Sequence, residues 1–372
     1  MYIWQQPDWP SFTWDEAALR PRLDTVRLLQ GRLLGRTDAA TDETDLQIEM
    51  EALIQNAIRT SEIEGEHLDV GSVRSSVARQ LGLEQAGLTA RVTPESESLV
   101  ALLLQATHQP HEPLSHAQLC QWQVMLFPEG SPSFTPIRIG ELRGEQPMQV
   151  VSGRLDRPRV HFEAPPRDRL DRELDAFINW FNNPPQGLDA LLRAAIAHLW
   201  LITLHPFDDG NGRLARAVTD RALAQAEGRS VRFYSLSAAI MARRNAYYEQ
   251  LESAQRGDLD ITRWLLWFID TLTQALQQAL LRLDSVLAKA RFWQRHADTV
   301  LNERQIKVLN RLLDGAGEEF EQGINARKYQ SLTRTSKATA TRDLAELVEK
   351  GCLCRLPGGG RSTRYEIENE TA

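Results

Sequence analysis

The chain has 372 residues, 42% of them hydrophobic and 25% charged, with a formal net charge of −7. That length accommodates two or three domains that each bury a core, and the acidic balance argues against a nucleic-acid footprint spread over the whole chain. No apolar run is long enough to cross a bilayer, the first residues lack a basic-then-apolar signal pattern, and Cys120, Cys352 and Cys354 have no metal-ligand spacing; a reducing cytoplasm, and no membrane, is the expected setting.

Residues 1–95 read as an N-terminal helical region. Trp4, Trp9, Phe12 and Trp14 gather around Pro7 and Pro10 as an aromatic lead-in expected to pack against the body. Helical periodicity follows over 16–34 and 42–59. The second helix runs out in Thr60-Ser61-Glu62-Ile63-Glu64-Gly65-Glu66, a polar terminus with Gly65 as C-cap. Residues 67–110 are helical with polar breaks, and 114–127 form a helix introduced by Ser115. A loop over 128–136 leads into strand-like pieces at 137–143 and 159–162, punctuated by Gly144, Gly153 and Pro158. A helix over 167–181 stops at Asn182-Asn183-Pro184-Pro185.

The run 191–204 is apolar on nearly every side and lacks Gly and Pro, so it reads as a buried helix. Pro206 cannot continue it, which leaves His205 where the chain exits the core. The segment His205-Pro206-Phe207-Asp208-Asp209-Gly210-Asn211-Gly212-Arg213-Leu214-Ala215-Arg216 is then a loop opening onto a new helix. Gly210 and Gly212 allow a close backbone approach, and the free N–H groups of a helix start favour an anion. Arg213 and Arg216 lie three apart on one face, placed to clamp phosphate oxygens. Asp209 offers the oxygen that Mg2+ takes when it sits on substrate phosphates, and His205 titrates near neutrality, as a general base for a hydroxyl should. These residues alone read as a nucleotide site with a base.

Residues 235–251 form a further helix that includes Arg244, Asn245, Tyr247 and Tyr248, and 261–296 one or two long helices that close the body and could pack against a second copy. The tail reads as helices over 302–314, 325–333 and 336–350, then strands at 352–356 and 363–367 joined by Pro357-Gly358-Gly359-Gly360-Arg361. Three helices and a Gly-rich hairpin make a winged helix-turn-helix with 336–347 in the recognition position. Between 324 and 364 nine basic residues face three acidic ones, a local patch suited to a phosphate backbone, with a protein contact as the other reading.

The segment 205–216 matches HPFx(D/E)GN(G/K)RxxR at every fixed position, and the chain thereby resembles the Fic (Fido) family. The resemblance implies a mainly α fold with a small β-hairpin flap, and transfer of AMP from ATP to a Ser, Thr or Tyr hydroxyl of a target protein. It implies His205 as base, Asp209 on Mg2+, and Gly210, Asn211, Gly212, Arg213 and Arg216 on the phosphates. The stretch 60–66 resembles the family's inhibitory motif (S/T)xxxE(G/N), through Thr60, Glu64 and Gly65. It implies a pairing of Glu64 with Arg216 that withholds the arginine from the γ-phosphate. The hairpin region resembles the flap that holds the target by strand addition, and Arg244-Asn245-Ala246-Tyr247-Tyr248 a helix beside the adenine pocket, with Asn245 and Tyr248 as nucleotide contacts. The expected organisation is an inhibitory region over 1–95, a catalytic domain over 96–297 and a winged helix over 298–372. AMP removal, with Glu64 orienting a water, and a nucleotide-sensing DNA-binding regulator are the rival functions.

Overall fold

A computed structural model describes the chain except residues 38–41, 84–89, 129–136, 155–156, 229–232, 314–322, 358–362 and 369–372. The loop expected over 128–136 and the tail's glycine turn therefore lie largely outside the described residues. The chain divides into two compact units, 1–279 and 280–372. The division falls inside one long helix, whereas the sequence places the last boundary at 297/298.

In the first unit the helices are α1 (Glu16–Thr37), α2 (Asp42–Ile63), α3 (Val70–Gln80), α4 (Pro94–His108), α5 (His116–Leu126), α6 (Arg167–Asn182), α7 (Ala190–Leu204), α8 (Asn211–Glu227), α9 (Leu236–Ala242) and α10 (Arg244–Gln255). The long helix α11 (Thr262–Arg295) begins here. α7 is the centre of the packing. Its sequence offers no polar stripe, so it is stable only when surrounded, and all but two of its residues are buried. Asp189 starts it by accepting from the N–H groups of Leu191 and Leu192. α8 returns along α7, and α2 packs across α3, α4 and α9.

The aromatic lead-in does pack on this body. Trp9 and Phe12 meet Trp200 edge-on at 6.1 and 5.9 Å. Trp4 Nε1 donates to the Glu163 carbonyl at 2.7 Å, and Thr13 exchanges backbone hydrogen bonds with Leu259 and Ile261.

Among the described residues this unit has one β-hairpin, with β1 (Gln149–Arg154) antiparallel to β2 (Arg157–Glu163) and a register shift between Val150 and Val151. The strand-like piece expected at 137–143 is not a strand. Its apolar alternation is interrupted at Gly140, which adopts φ +76° where a Cβ would strike Val124, and Arg143 is drawn into the interior instead. The expected helix over 235–251 is two helices, broken at Arg243.

The second unit holds α12 (Glu303–Leu313), α13 (Ala326–Thr333), α14 (Lys337–Glu349) and the antiparallel pair β3 (Leu353–Arg355) and β4 (Tyr365–Ile367). Ser336 caps α14 by accepting from Thr339 N–H. Val308, Leu309, Tyr329, Leu344 and Leu347 bury together with Phe292 and Tyr365. The order of elements in this unit is helix, helix, helix, hairpin. The three cysteines are free thiols.

Candidate active site

α7 ends where Pro206 forbids another turn. His205 caps it at φ 49°, a left-handed conformation uncommon outside glycine, and its ring folds back so that Nδ1 lies 2.9 Å from the Ile202 carbonyl. A carbonyl only accepts, so Nδ1 carries the proton and Nε2 is the basic nitrogen. Burial holds this imidazole below the usual histidine range, against the opposing effect of the Ile202 bond. The bend is braced from below by Arg143, only 1% exposed, whose Nε donates to the His205 carbonyl at 2.8 Å and whose Nη2 donates to Pro165 O. Its backbone N–H donates to Pro206 O at 3.0 Å. Sequence reasoning missed this arginine, because a lone Arg in an irregular stretch carries no pattern.

His205 and Asp209 line a cavity of about 750 Å3, together with Gly210, Asn211, Gly212, Asn245 and Tyr248. Glu64 lines it too. The loop around them is shaped by Asn211. Its Oδ1 accepts from Phe207 N–H at 3.0 Å and its Nδ2 donates to Phe207 O at 2.8 Å. The Asn211 side chain is therefore spent on the loop, and only its backbone N–H, at the start of α8, remains for a phosphate. Gly210, at φ +87°, gives that helix start no side-chain cap, leaving its first N–H groups open to an anion. A Cβ on Gly210 would also strike Leu126 at 2.9 Å.

Among the described residues no cluster of three or more His, Cys, Asp or Glu side chains could hold a metal unaided. Asp208 accepts from Arg138 N–H at 2.9 Å and is committed to the loop. Asp209 is exposed at the cavity, and one of its oxygens accepts from Gly210 N–H at 2.6 Å. A single carboxylate with a second oxygen to offer fits a Mg2+ that arrives with phosphates and keeps water ligands.

Both arginines already hold carboxylates. Arg216, 2% exposed, donates through Nη2 to Glu64 Oε1 at 2.7 Å and to Thr60 O at 2.9 Å, and through Nε to Thr60 Oγ1 at 2.7 Å. Burial acts to discharge it, but the Glu64 carboxylate, together with Tyr247 and Tyr248, more than offsets that, and its pKa is raised. Arg213 donates through Nη1 to Glu66 Oε2 at 2.5 Å and lies over the Phe127 ring at 5.2 Å. Burial raises the pKa of Glu66 in spite of that arginine. Glu64 sits so close to the loop that a Cβ on Gly212 would lie 2.1 Å from its Oε1. The end of α2 is also held from α10: Arg244 Nε and the Tyr248 hydroxyl both donate to Ile63 O, at 2.7 and 3.0 Å. Asn245 and Tyr248 thus reach the cavity, with Tyr248 engaged by the chain end that carries Glu64. Glu66 was not singled out from the sequence, although it lies two residues from Glu64.

The Fic/DOC family profile matches residues 113–223, which hold α5 through most of α8 and the whole loop 205–216. A domain of unknown function, DUF4172, matches residues 2–83, the stretch that carries Thr60, Glu64 and Glu66. This chain therefore carries a Fic/DOC domain. It is 35% identical over 102 residues to a protein adenylyltransferase Fic of Nematostella vectensis, covering 27% of this chain and 22% of that protein. A uridine 5'-monophosphate transferase of Xanthomonas campestris is 34% identical over 117 residues, covering 30% and 21%. The chain spans about a fifth of the length of these curated relatives. A Fic family protein from Desulfovibrio desulfuricans superposes with a TM-score of 0.56 at 18% identity, covering 98% of this chain and 99% of that one. The shared fold is mainly helical.

Proposed function

We propose that this protein transfers AMP from ATP to a hydroxyl of a target protein, and that it is held inactive by its own α2 terminus. The observation that carries the reading is the Arg216–Glu64 pair, whose carboxylate lines the same cavity as His205 and the uncapped start of α8. A guanidinium can hold a carboxylate or a phosphate with the same donor fork, so the two compete. With Glu64 displaced, Arg216 takes the γ-phosphate, while Arg213 and the Gly210–Gly212 backbone take the others. His205 Nε2 accepts the proton of the incoming hydroxyl, whose oxygen attacks the α-phosphorus as pyrophosphate departs. Magnesium held by Asp209 would neutralise charge on the phosphates as it develops. The target's segment would be aligned by adding to the flap. Arg256 already takes the β2 carbonyls of Val160 and His161, both at 2.7 Å, which directs strand addition to the unpaired edge of β1.

ATP as the donor follows the relatives named adenylyltransferases; the Xanthomonas relative makes UTP the competitor to test beside it. Transfer of label from α-labelled ATP, with and without excess UTP, to the Glu64→Gly protein tests both points. A second reading rests on the nearness of Glu64 to Gly212 and its place in the catalytic cavity: there its carboxylate could orient a water for removal of AMP. An AMP-modified substrate protein, released faster by wild type than by Glu64→Gly, would favour it.

For the second unit we propose a contact with a nucleic-acid backbone. Arg334, which ends α13, and Lys337, Thr341 and Arg342 on α14 are exposed, whereas Asp343, Leu344 and Leu347 on α14 turn inward. Asp343 is held there by Arg304 Nε at 2.9 Å and the Tyr329 hydroxyl at 3.0 Å. Lys337 and Arg342 are thereby left outward on α14, with Arg342 Nε 3.9 Å from Glu346 Oε1 on the next turn.

A further inference from the structure

The flap carries a second constellation that proton transfer at His205 does not use. The Ser152 hydroxyl on β1 lies 2.6 Å from His161 Nε2 on β2, and His161 Nδ1 lies 2.7 Å from Glu252 Oε2 on α10. An ionised carboxylate only accepts, so Nδ1 carries the proton and Nε2 accepts from the serine. This is the order of nucleophile, base and orienting carboxylate that activates a serine. Its surroundings keep it in place. Arg159 and Arg256 each come within 3.5 Å of Glu252 Oε1, and Arg256 Nε donates to the His161 carbonyl. Burial works against the charge of Glu252, yet the His161 bond and the arginines hold its carboxyl below the usual range. His161 and Glu252 alone would suffice to tie the flap to α10. The hydroxyl adds a nucleophile, exposed on the wall of the cavity that holds His205, Asp209 and Gly212.

We propose that Ser152 is an internal acceptor of the nucleotidyl group, a modification site on the flap activated by His161 and Glu252. The donor rests on the nucleotidyl-transfer reading above; the activation of the serine does not. In the step, Ser152 Oγ forms a bond to the α-phosphorus of a nucleoside triphosphate held in the cavity. The bond from that phosphorus to the oxygen bridging to the β-phosphate breaks, and pyrophosphate leaves. The hydroxyl proton passes to His161 Nε2. The product is a phosphodiester on β1.

Two measurements on the full chain test it. The Glu64→Gly protein, incubated with ATP and Mg2+ and digested, is read by peptide mass spectrometry. The expected result is nucleotide on the Ser152 peptide, lost in Glu64→Gly/Ser152→Ala and reduced about 100-fold in Glu64→Gly/His161→Gln, where the hydrogen bond survives but the base does not. Separately, wild type without nucleotide is treated with a fluorophosphonate. There the serine oxygen displaces fluoride from phosphorus, so labelling reports the nucleophile alone. Ser152 should label in wild type and in His205→Ala, and not in His161→Gln. A Ser152 that ignores the fluorophosphonate overturns the proposal. Nucleotide found only on other residues also overturns it and leaves the transfer reading standing; nucleotide on no residue removes both.

Discussion

Arg216 cannot serve a triphosphate and Glu64 at once, and it is buried deeply enough that leaving it unpaired is not an option. Removing one partner of such a pair strands the other, which draws in whatever anion is available. We therefore expect Glu64→Gly to raise nucleotide transfer, and His205→Ala in that background to lower it by about 100-fold or more, measured as initial rates of label incorporation. Glu66 makes the same argument for Arg213. Glu66→Gln should tighten ATP binding in calorimetry, and by less than Glu64→Gly, because Glu66 is half exposed and its pair is screened by water; unchanged affinity would confine inhibition to Glu64. The lowered pKa of His205 sets a further sign. The reaction needs the neutral base, so the rate falls as pH drops through that pKa. The acid limb of kcat/KM for the Glu64→Gly protein should therefore lie below pH 6.5, the value of an ordinary histidine. At this scale the residues of one contiguous motif were legible as a group, because they are neighbours in sequence before they are neighbours in space. Arg143, Glu66 and the Ser152–His161–Glu252 group come from separate stretches and meet only through the fold.

The elements are fixed to one another by a few buried polar bonds. His198 on α7 lies 2.9 Å from Thr219 on α8 through Nδ1 and 2.9 Å from the Tyr247 hydroxyl on α10 through Nε2. Thr219 donates to Ala215 O, so it accepts from His198, and His198 accepts from Tyr247. Burial drives the histidine down to about 3 and the tyrosine up, which keeps both neutral beside Arg216. The sign for stability follows. The unfolded chain protonates His198 below pH 6.5 and the folded chain does not, so this group costs stability as pH falls from 6.5 towards 3. His198→Gln, which cannot take the proton, should flatten the fall of the denaturation midpoint over that window while lowering stability at pH 7 by about 1–3 kcal/mol. The helices were legible because periodicity and caps are local: Ser115, Asp189, Ser235 and Ser336 all cap as their positions suggest. The flap was only half legible. β2 carries an apolar alternation, whereas in β1 Val150 and Val151 straddle a register shift that erases the period of two. The Ile137/Ile139 alternation gave a false strand because Gly140 turns the chain.

Over the whole molecule, net charge and local charge disagree, and the disagreement is informative. A chain of net charge −7 should not bind nucleic acid through its general surface, yet the second unit exposes Arg334, Lys337 and Arg342. Binding to a DNA duplex should therefore weaken with salt, and Lys337→Glu with Arg342→Glu should reduce the slope of log K against log salt by about one per lost contact. A slope unchanged by both substitutions would assign that face to a protein partner. The first unit, by contrast, holds the whole cavity lined by His205 and the end of α2 that carries Glu64. The central claim is that Glu64 restrains a nucleotidyl transfer carried out by His205, and the most direct test is incorporation of label from α-labelled ATP, scored on peptides other than that of Ser152, into wild type, Glu64→Gly and Glu64→Gly/His205→Ala. The account predicts weak label in the first, strong label in the second and none in the third. Equal label in the first two, or label that survives loss of His205, would contradict it.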